Sequence, residues 1–306
     1  MNTRNNEIKK NIAKMITSAM KENGTDFMQS WIKLGMPKNI RGTNYSSINI
    51  FSLWYEKDQH NYQSNTWATF NQIKKLGGCV KKGSVGTYVQ GWFAYDNKKV
   101  NSKGNEVSDA GIAPKFYKVF NLDQTDLDEK KVVLPNEAET LLAVDEYVKN
   151  TGAYITHEEI FSGQPEACYY HPLFDKINMA NKDKFFSTEN TTATENYYAV
   201  LLHELTHWTG HSKRCNRDAI TQTVGKKDDY THTYAFEELI AEIGSAIQCC
   251  TLGISSGIKP SSAKYLNAWI KRIDDNPQII FHACAKANQA VNFIEKKQYE
   301  KLKEVA

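Results

Sequence analysis

Apolar residues at Ile8, Ile12, Met15, Ile16 and Met20 recur at the spacing of one helical face. They predict a helix over residues 4–34, interrupted at Asn23-Gly24. Tyr45–Tyr55 reads as a second helix opened by a serine, and Trp67–Gly78 as a third, ended by its glycine pair. From Val80 to Tyr95 the pattern changes to alternation with aromatics, which predicts β-strands joined at Gly83 and Gly86. Lys98–Ala113 is polar and glycine-dotted, as in a hairpin loop, and Lys115–Leu122 returns as a strand. Asp123–Pro135 is charged and poor in apolar residues in its first half, so a domain boundary is expected there, dividing 1–128 from 129–306.

The rear half reads differently. Glu137–Lys149 is an amphipathic helix, and Ala167–Met179 is one or two strands around a Pro turn. Long helices follow at Thr191–Thr209 and Tyr234–Leu252, then at Ser261–Arg272 and Gln278–Lys296. The expected class is α+β in two domains, the second rich in helix.

Composition narrows the partners. With 41% hydrophobic and 24% charged residues the chain is of ordinary globular type, and its 306 residues suffice for two cores. No apolar run approaches the roughly 18 residues that cross a bilayer, and the polar start lacks the pattern of a signal peptide. A cytoplasmic protein without membrane contact is expected, its six scattered cysteines reduced. Charge is uneven along the chain. Residues 1–120 carry 18 Lys and Arg against 8 Asp and Glu, a surplus of +10, whereas the remainder carries 20 against 27, a deficit of −7. A basic front suits a polyanion.

The chemistry concentrates at His203-Glu204-Leu205-Thr206-His207. On a helix, positions four apart share a face, so both imidazoles can address one zinc ion, one per chain. Glu204 on the adjacent face is placed as general base for a metal-activated water. A third ligand is needed. The pattern that takes a histidine six residues after the second one is excluded, because that position is Lys213. His211 lies on the same stripe, yet it stands about 12 Å along the axis from His203, and Gly210 ends the helix. It reads as a residue behind the metal or facing substrate. The acids of Tyr234–Ala246 lie among small residues that allow close helix packing. Glu238 is the first choice of ligand, with Glu242 second, as ligand or as the carboxylate orienting a ligand histidine, and Glu237 third. Tyr234 and His211 are candidates for oxyanion stabilisation. Residues 169–179 offer an edge strand beside the metal, suited to pairing with an extended peptide, with His171 an ordinary surface residue.

HELTHWTGH at 203–211, the Arg214-Cys-Asn-Arg217 that follows, and YAFEELIAEIGSA at 234–246 together resemble the antirestriction ArdC family. The front half resembles it too, at Trp31…Gly35-Met-Pro37…Asn39…Gly42…Tyr45…Asn49, TWATFNQIKKLGGCVKKGSVGTYV (66–89) and KFYKVFNLDQT (115–125). The resemblance implies an N-terminal domain that binds single-stranded DNA, then a zincin-like, gluzincin-type metallopeptidase domain that acts on an unidentified protein substrate. It also implies a role in shielding incoming plasmid DNA from host restriction. By resemblance His203 and His207 are ligands and Glu204 is catalytic.

Single strands are held by cations that track phosphates and by rings that stack on bases. The front domain offers Lys38, Arg41, Lys74, Lys75, Lys81 and Lys82, and Trp67 and Tyr88 are the expected rings, with Trp92, Phe93 and Tyr95 close by in sequence. Large aromatics are more often core. A second arrangement also fits the sequence, a non-enzymatic single-strand-masking protein whose zinc site is structural or vestigial.

Overall fold

The computed structural model describes residues 3–24, 27–100, 106–127, 137–157, 168–188, 191–221, 230–255 and 264–305. The chain divides into two compact units, Met1–Ile12 with Pro37–Glu129, and Ala13–Met36 with Lys130–Ala306. The expected boundary residues 128–136 lie outside the described residues. Architecture is α+β, and the second unit is the helix-rich one.

Helices α1 (Thr3–Asn23) and α2 (Phe27–Ile32) open the chain. They are followed by β1 (Lys38–Asn39), α3 (Ile48–Gln59), β2 (Thr66–Ala68), α4 (Phe70–Lys75), β3 (Thr87–Val100) and β4 (Glu106–Asn121). The strands form one sheet in the order β1-β2-β4-β3, parallel between β1 and β2 and antiparallel elsewhere.

Two expectations for this unit change. The helix expected over Trp67–Gly78 begins only at Phe70, because Thr69 and Gln72 form a reciprocal capping box. Residues 66–68 are thereby freed to pair as β2. Trp67, expected as a ring for DNA, is a core residue with 0% exposure, packed with Leu53, Val89 and Val119. The loop expected over Lys98–Ala113 is instead mostly ladder, with Val100 opposite Glu106, and only 101–105 lie outside the described residues.

Edge strand β3 is held from one side by α3. The Asn49 side chain donates to the Gln90 carbonyl at 2.8 Å and accepts from the Gln90 N–H at 2.7 Å. That satisfies backbone groups that an edge leaves open.

The second unit continues with α5 (Glu137–Thr151), β5 (Tyr154–Thr156), β6 (Tyr169–His171), β7 (Lys176–Asn178), α6 (Ala193–Thr209) and α7 (Asp218–Thr221). It closes with α8 (Tyr230–Leu252), α9 (Leu266–Asp275) and α10 (Gln278–Val305). Its sheet has the order β5-β7-β6, so β6 is an edge, as residues 169–179 lead one to expect. The α6 helix starts at Thr192, whose side chain accepts from the Glu195 N–H while the Glu195 carboxylate accepts from the Thr192 N–H. From Leu201 to Gly210 every residue of the α6 end is buried, against α8 and α10 among others. Residues 13–36 cluster with this unit. The Thr17 hydroxyl donates to Asp274 at 2.9 Å, Lys21 pairs with Asp274 at 2.8 Å, and α2 packs on α8. Among the described residues no helix is long and apolar enough to cross a membrane.

Candidate functional site

Helix α6 carries His203, Glu204 and His207, all buried, and turns both imidazoles to one side. Their Nε2 atoms stand 3.1 Å apart. Glu238 on α8 closes the triangle, with one oxygen 3.5 Å from His203 Nε2 and the other 3.4 Å from His207 Nε2. For a four-coordinate ion with bonds of about 2.0–2.1 Å, neighbouring ligand atoms stand about 3.3 Å apart. The three edges therefore have the size of one face of such a shell.

Glycine makes this approach possible. A Cβ on Gly244 would lie 2.6 Å from Thr206 Cγ2 and 2.8 Å from its hydroxyl, so α8 can come this close to α6 only without a side chain there. Two hydrogen bonds fix the depth. Ser245 donates to the Ala199 carbonyl at 2.9 Å, and Gln248 donates to the Thr206 hydroxyl at 3.0 Å.

The two remaining acids of α8 stand behind the imidazoles. Glu242 lies 3.3 Å from His203 Nδ1 and Glu237 lies 3.2 Å from His207 Nδ1. A carboxylate at the outer nitrogen fixes the ring and leaves Nε2 free to bind a cation. Glu242 is thus an ion-pair neighbour behind His203, and Glu237 takes the corresponding place behind His207. Glu237 is in turn gripped by the buried Arg217, which approaches its oxygens at 2.6–3.0 Å and also donates to the Thr209 hydroxyl and the Thr206 carbonyl.

Four carboxylates, Glu204, Glu237, Glu238 and Glu242, are buried around two imidazoles, so the cluster is rich in negative charge. Burial opposes a charge on His207, yet Glu237 and Glu238 outweigh it and push its pKa up to about 10. His203 is raised likewise, against burial, by Glu242 and Glu238. Burial favours the neutral acid of Glu238, but the two imidazoles hold it below the usual carboxylate range. The same field that keeps protons on the histidines favours a divalent cation in their place. The donor set fits a divalent metal.

Glu204 is held from the other side of the cleft. The Tyr170 backbone N–H on β6 donates to its Oε2 at 2.8 Å. The Tyr170 hydroxyl donates to Asp175 at 2.9 Å, and Arg214 joins both, bonded to the Asp175 carboxylate and 3.2 Å from the Tyr170 oxygen. Arg214 itself lies over the Trp208 ring at 3.9 Å and donates to the Trp208 carbonyl at 2.6 Å. The end of α6 is thus tied to the edge strand that touches Glu204. A cleft of about 230 Å³ opens here, lined by Tyr170, Pro172, Glu204, His207, Tyr234 and Glu238 among others. Burial, then the charge of Glu238 and a hydrogen bond to its carboxylate, keep the Tyr234 hydroxyl protonated, with its pKa well above the ordinary value and its O–H directed at Glu238. His211 is not among the lining residues, and its Nδ1 accepts from the Lys213 N–H. His171 is half-buried beside Phe174. The roles of Arg214, Arg217 and the Tyr170 amide have no spacing signature, and the only sequence signal was a pair of arginines just past the end of α6.

In the first unit the expected DNA residues sit on several elements. Lys38 is half-buried on β1 opposite Thr66, and Arg41 is exposed in the turn after it. Lys74 and Lys75 are exposed in the last turn of α4, and Lys81 and Lys82 are exposed beside Gly83. Lys81 donates to the Asp123 carbonyl at 2.9 Å. Tyr88 is half-buried on β3, at the sheet edge opposite to β1.

Replacing Arg214 with methionine removes the link between Trp208, Asp175 and Tyr170. The Tyr170 amide is then expected to exchange its hydrogen at least about tenfold faster, the scale of losing a contact of 1.4 kcal/mol or more. Hydrogen exchange resolved to that amide checks it. Unchanged exchange would mean that β6 is held without Arg214.

Residues 142–286 match a family model described as zincin-like metallopeptidase, and residues 6–121 match the N-terminal domain of anti-restriction factor ArdC. A DNA primase TraC of Escherichia coli is 32% identical over 87% of this chain, which spans only 18% of that relative. The metal-free crystal structure of the antirestriction ArdC protein from the R388 plasmid aligns with a TM-score of 0.74 and 30% identity, covering 95% of this chain and 98% of that one. Its Mn(II)-bound structure aligns at 0.70 and 31%, covering 94% and 97%. The chain belongs to the antirestriction ArdC family, with an ArdC N-terminal domain followed by a zincin-like metallopeptidase domain.

Proposed function

We propose that the rear domain is a zinc-dependent peptidase and the front domain a single-stranded-DNA binder, acting together in the cytoplasm to protect incoming DNA from restriction. One observation carries the enzymatic half: the convergence of His203, His207 and Glu238 with Glu204 beside them on the cleft. Two imidazoles and one buried carboxylate make a mixed nitrogen and oxygen set, which suits zinc better than manganese, an ion that prefers all-oxygen shells. A relative is described as Mn(II)-bound, which shows what that protein's crystal accepted.

His203, His207 and Glu238 would hold the ion, which when bound supplies Lewis acidity and lowers the pKa of a coordinated water to about 7. Glu204 takes the proton of the attacking water on its carboxylate and delivers it to the leaving amine nitrogen. Glu242 and Glu237 keep the two imidazoles turned inward. Tyr234, kept protonated and bonded to Glu238, reaches the oxygen on which negative charge develops by turning its O–H away from that carboxylate. Strand β6, an edge, gives an extended peptide a backbone to lie against.

Replacing Glu204 with glutamine keeps the shape and the ligands. Metal content is expected to stay at wild-type level, while cleavage of a protein substrate falls at least about a hundredfold. One contact favours the alternative, a masking protein with a structural ion: Glu204 Oε2 is already engaged by the Tyr170 N–H. Antirestriction retained in full by Glu204→Gln would establish that alternative and end the peptidase reading.

The family membership, the +10 surplus over residues 1–120 and the exposed Arg41, Lys74, Lys75, Lys81 and Lys82 support the DNA half, with Lys38 and Tyr88 kept as contacts. Each phosphate neutralised on a single strand contributes about −0.7 to the slope of log affinity against log salt. Affinity for an oligonucleotide, measured from 50 to 200 mM salt, is expected to fall with a slope of about −3 or steeper, the value for four or more phosphates. A flat dependence would contradict an electrostatic groove.

A further inference from the structure

The chain has six tryptophans. Trp31, Trp54, Trp67, Trp208 and Trp269 are at most 5% exposed, whereas Trp92 is 68% exposed. Strand periodicity explains where it points. Along β3, Thr87 and Val89 face the core with Val119, so Tyr88, Gln90 and Trp92 face the opposite side of the ladder. On the partner strand, Lys118 stands directly opposite Tyr88 and Pro114 opposite Trp92.

Phe116, opposite Gln90 on this face, is buried at 9% exposure, so the face opens fully only at its Trp92 end, while at the Tyr88 end two cations and the Glu7 carboxylate surround the ring. The Lys118 ammonium lies 5.0 Å from the Tyr88 ring centroid, and Arg4 of α1 donates to the Tyr88 hydroxyl at 3.2 Å. Next along the ribbon, Phe93 is 46% exposed on the reverse side, set edge-on against Tyr117 at 5.9 Å. A lone exposed apolar residue is ordinary. A bare indole four residues along the same face from a ring flanked by two cations, in a front half with a surplus of +10, is what a strand with unpaired bases requires.

We infer that the Trp92 end of this face of the β3–β4 ladder is the stacking platform for an unpaired nucleic-acid strand, with Trp92 taking a base and Lys118 and Arg4, toward the Tyr88 end, facing its phosphates. The inference rests on the DNA-binding reading above and relocates its aromatic contact from the buried Trp67 to Trp92. Tyr88 stays in the platform, at the edge nearer the cations.

Because the other five indoles are buried, Trp92 is its own reporter. The full chain is titrated with an oligothymidylate, an abasic oligomer of equal length and a duplex, following intrinsic fluorescence. Oligothymidylate is expected to quench the solvent-exposed emission and to bind about tenfold or more tighter than the abasic oligomer, as for one stacked base. Trp92→Ala is expected to melt at the wild-type temperature and to bind oligothymidylate about tenfold more weakly, while Trp92→Phe keeps most of the affinity. Binding without quenching, equal affinity for the abasic strand or the duplex, or unchanged affinity in Trp92→Ala would overturn the platform and leave strand binding elsewhere intact. No binding by the wild-type chain would remove the DNA-binding reading and the platform together. Self-association that Trp92→Ala abolishes, seen by sedimentation without nucleic acid, would assign the face to a second copy.

Discussion

The distance between α6 and α8 is the constraint on which the site depends. Thr206 sits between His203 and His207 in sequence, and Gly244 lies six positions after Glu238, so their contact sets how far the carboxylates reach toward the imidazoles. A Cβ at Gly244 would have to displace Thr206, which is itself bonded to the Leu202 carbonyl and to Gln248. Interiors packed at crystal density do not absorb such a shift locally. An added methyl would therefore carry Glu238 and Glu242 away from the histidines rather than fill spare room.

Charge explains why so much polarity tolerates burial. An isolated buried carboxylate is costly, and here four are gathered in one place. Arg217 offsets one of them through Glu237, the imidazoles offset others by taking protons, and Glu204 is satisfied from the strand side by an amide. The arrangement leaves Nε2 of both rings and Glu238 converging on one point. On the proposed metal reading, orientation comes from the outer nitrogens and affinity from the inner ones, a division of labour that needs α6, α8 and the segment holding Arg217 to be placed together.

Much of this was legible in the sequence. Histidines four apart on a buried helix, a downstream acidic helix dotted with small residues, and a strand pair around His171-Pro172 all read directly from periodicity. The geometry brings Glu238 to the histidines and puts Glu242 and Glu237 behind them, where spacing alone left the three open. What spacing could not give was the arginines, because contacts between distant segments leave no period. Trp67 and Trp92 show the same limit in the front domain. Both are aromatic and near lysines, yet Thr69 caps a helix and leaves Trp67 in the central pairing, while the ladder turns Trp92 outward. Residues 13–36 cluster with the rear unit through Thr17, Lys21 and α2, while the match to the ArdC N-terminal domain runs unbroken over residues 6–121.

The central claim is that His203, His207 and Glu238 together hold one divalent ion, with Glu242 only orienting a ligand. Metal content and affinity of the purified protein, compared with Glu238→Ala and Glu242→Ala, test it most directly. One zinc per wild-type chain is predicted, lost in Glu238→Ala and retained in Glu242→Ala with affinity about 10- to 100-fold weaker. Stoichiometric zinc in Glu238→Ala, held as tightly as in the wild type, would contradict it.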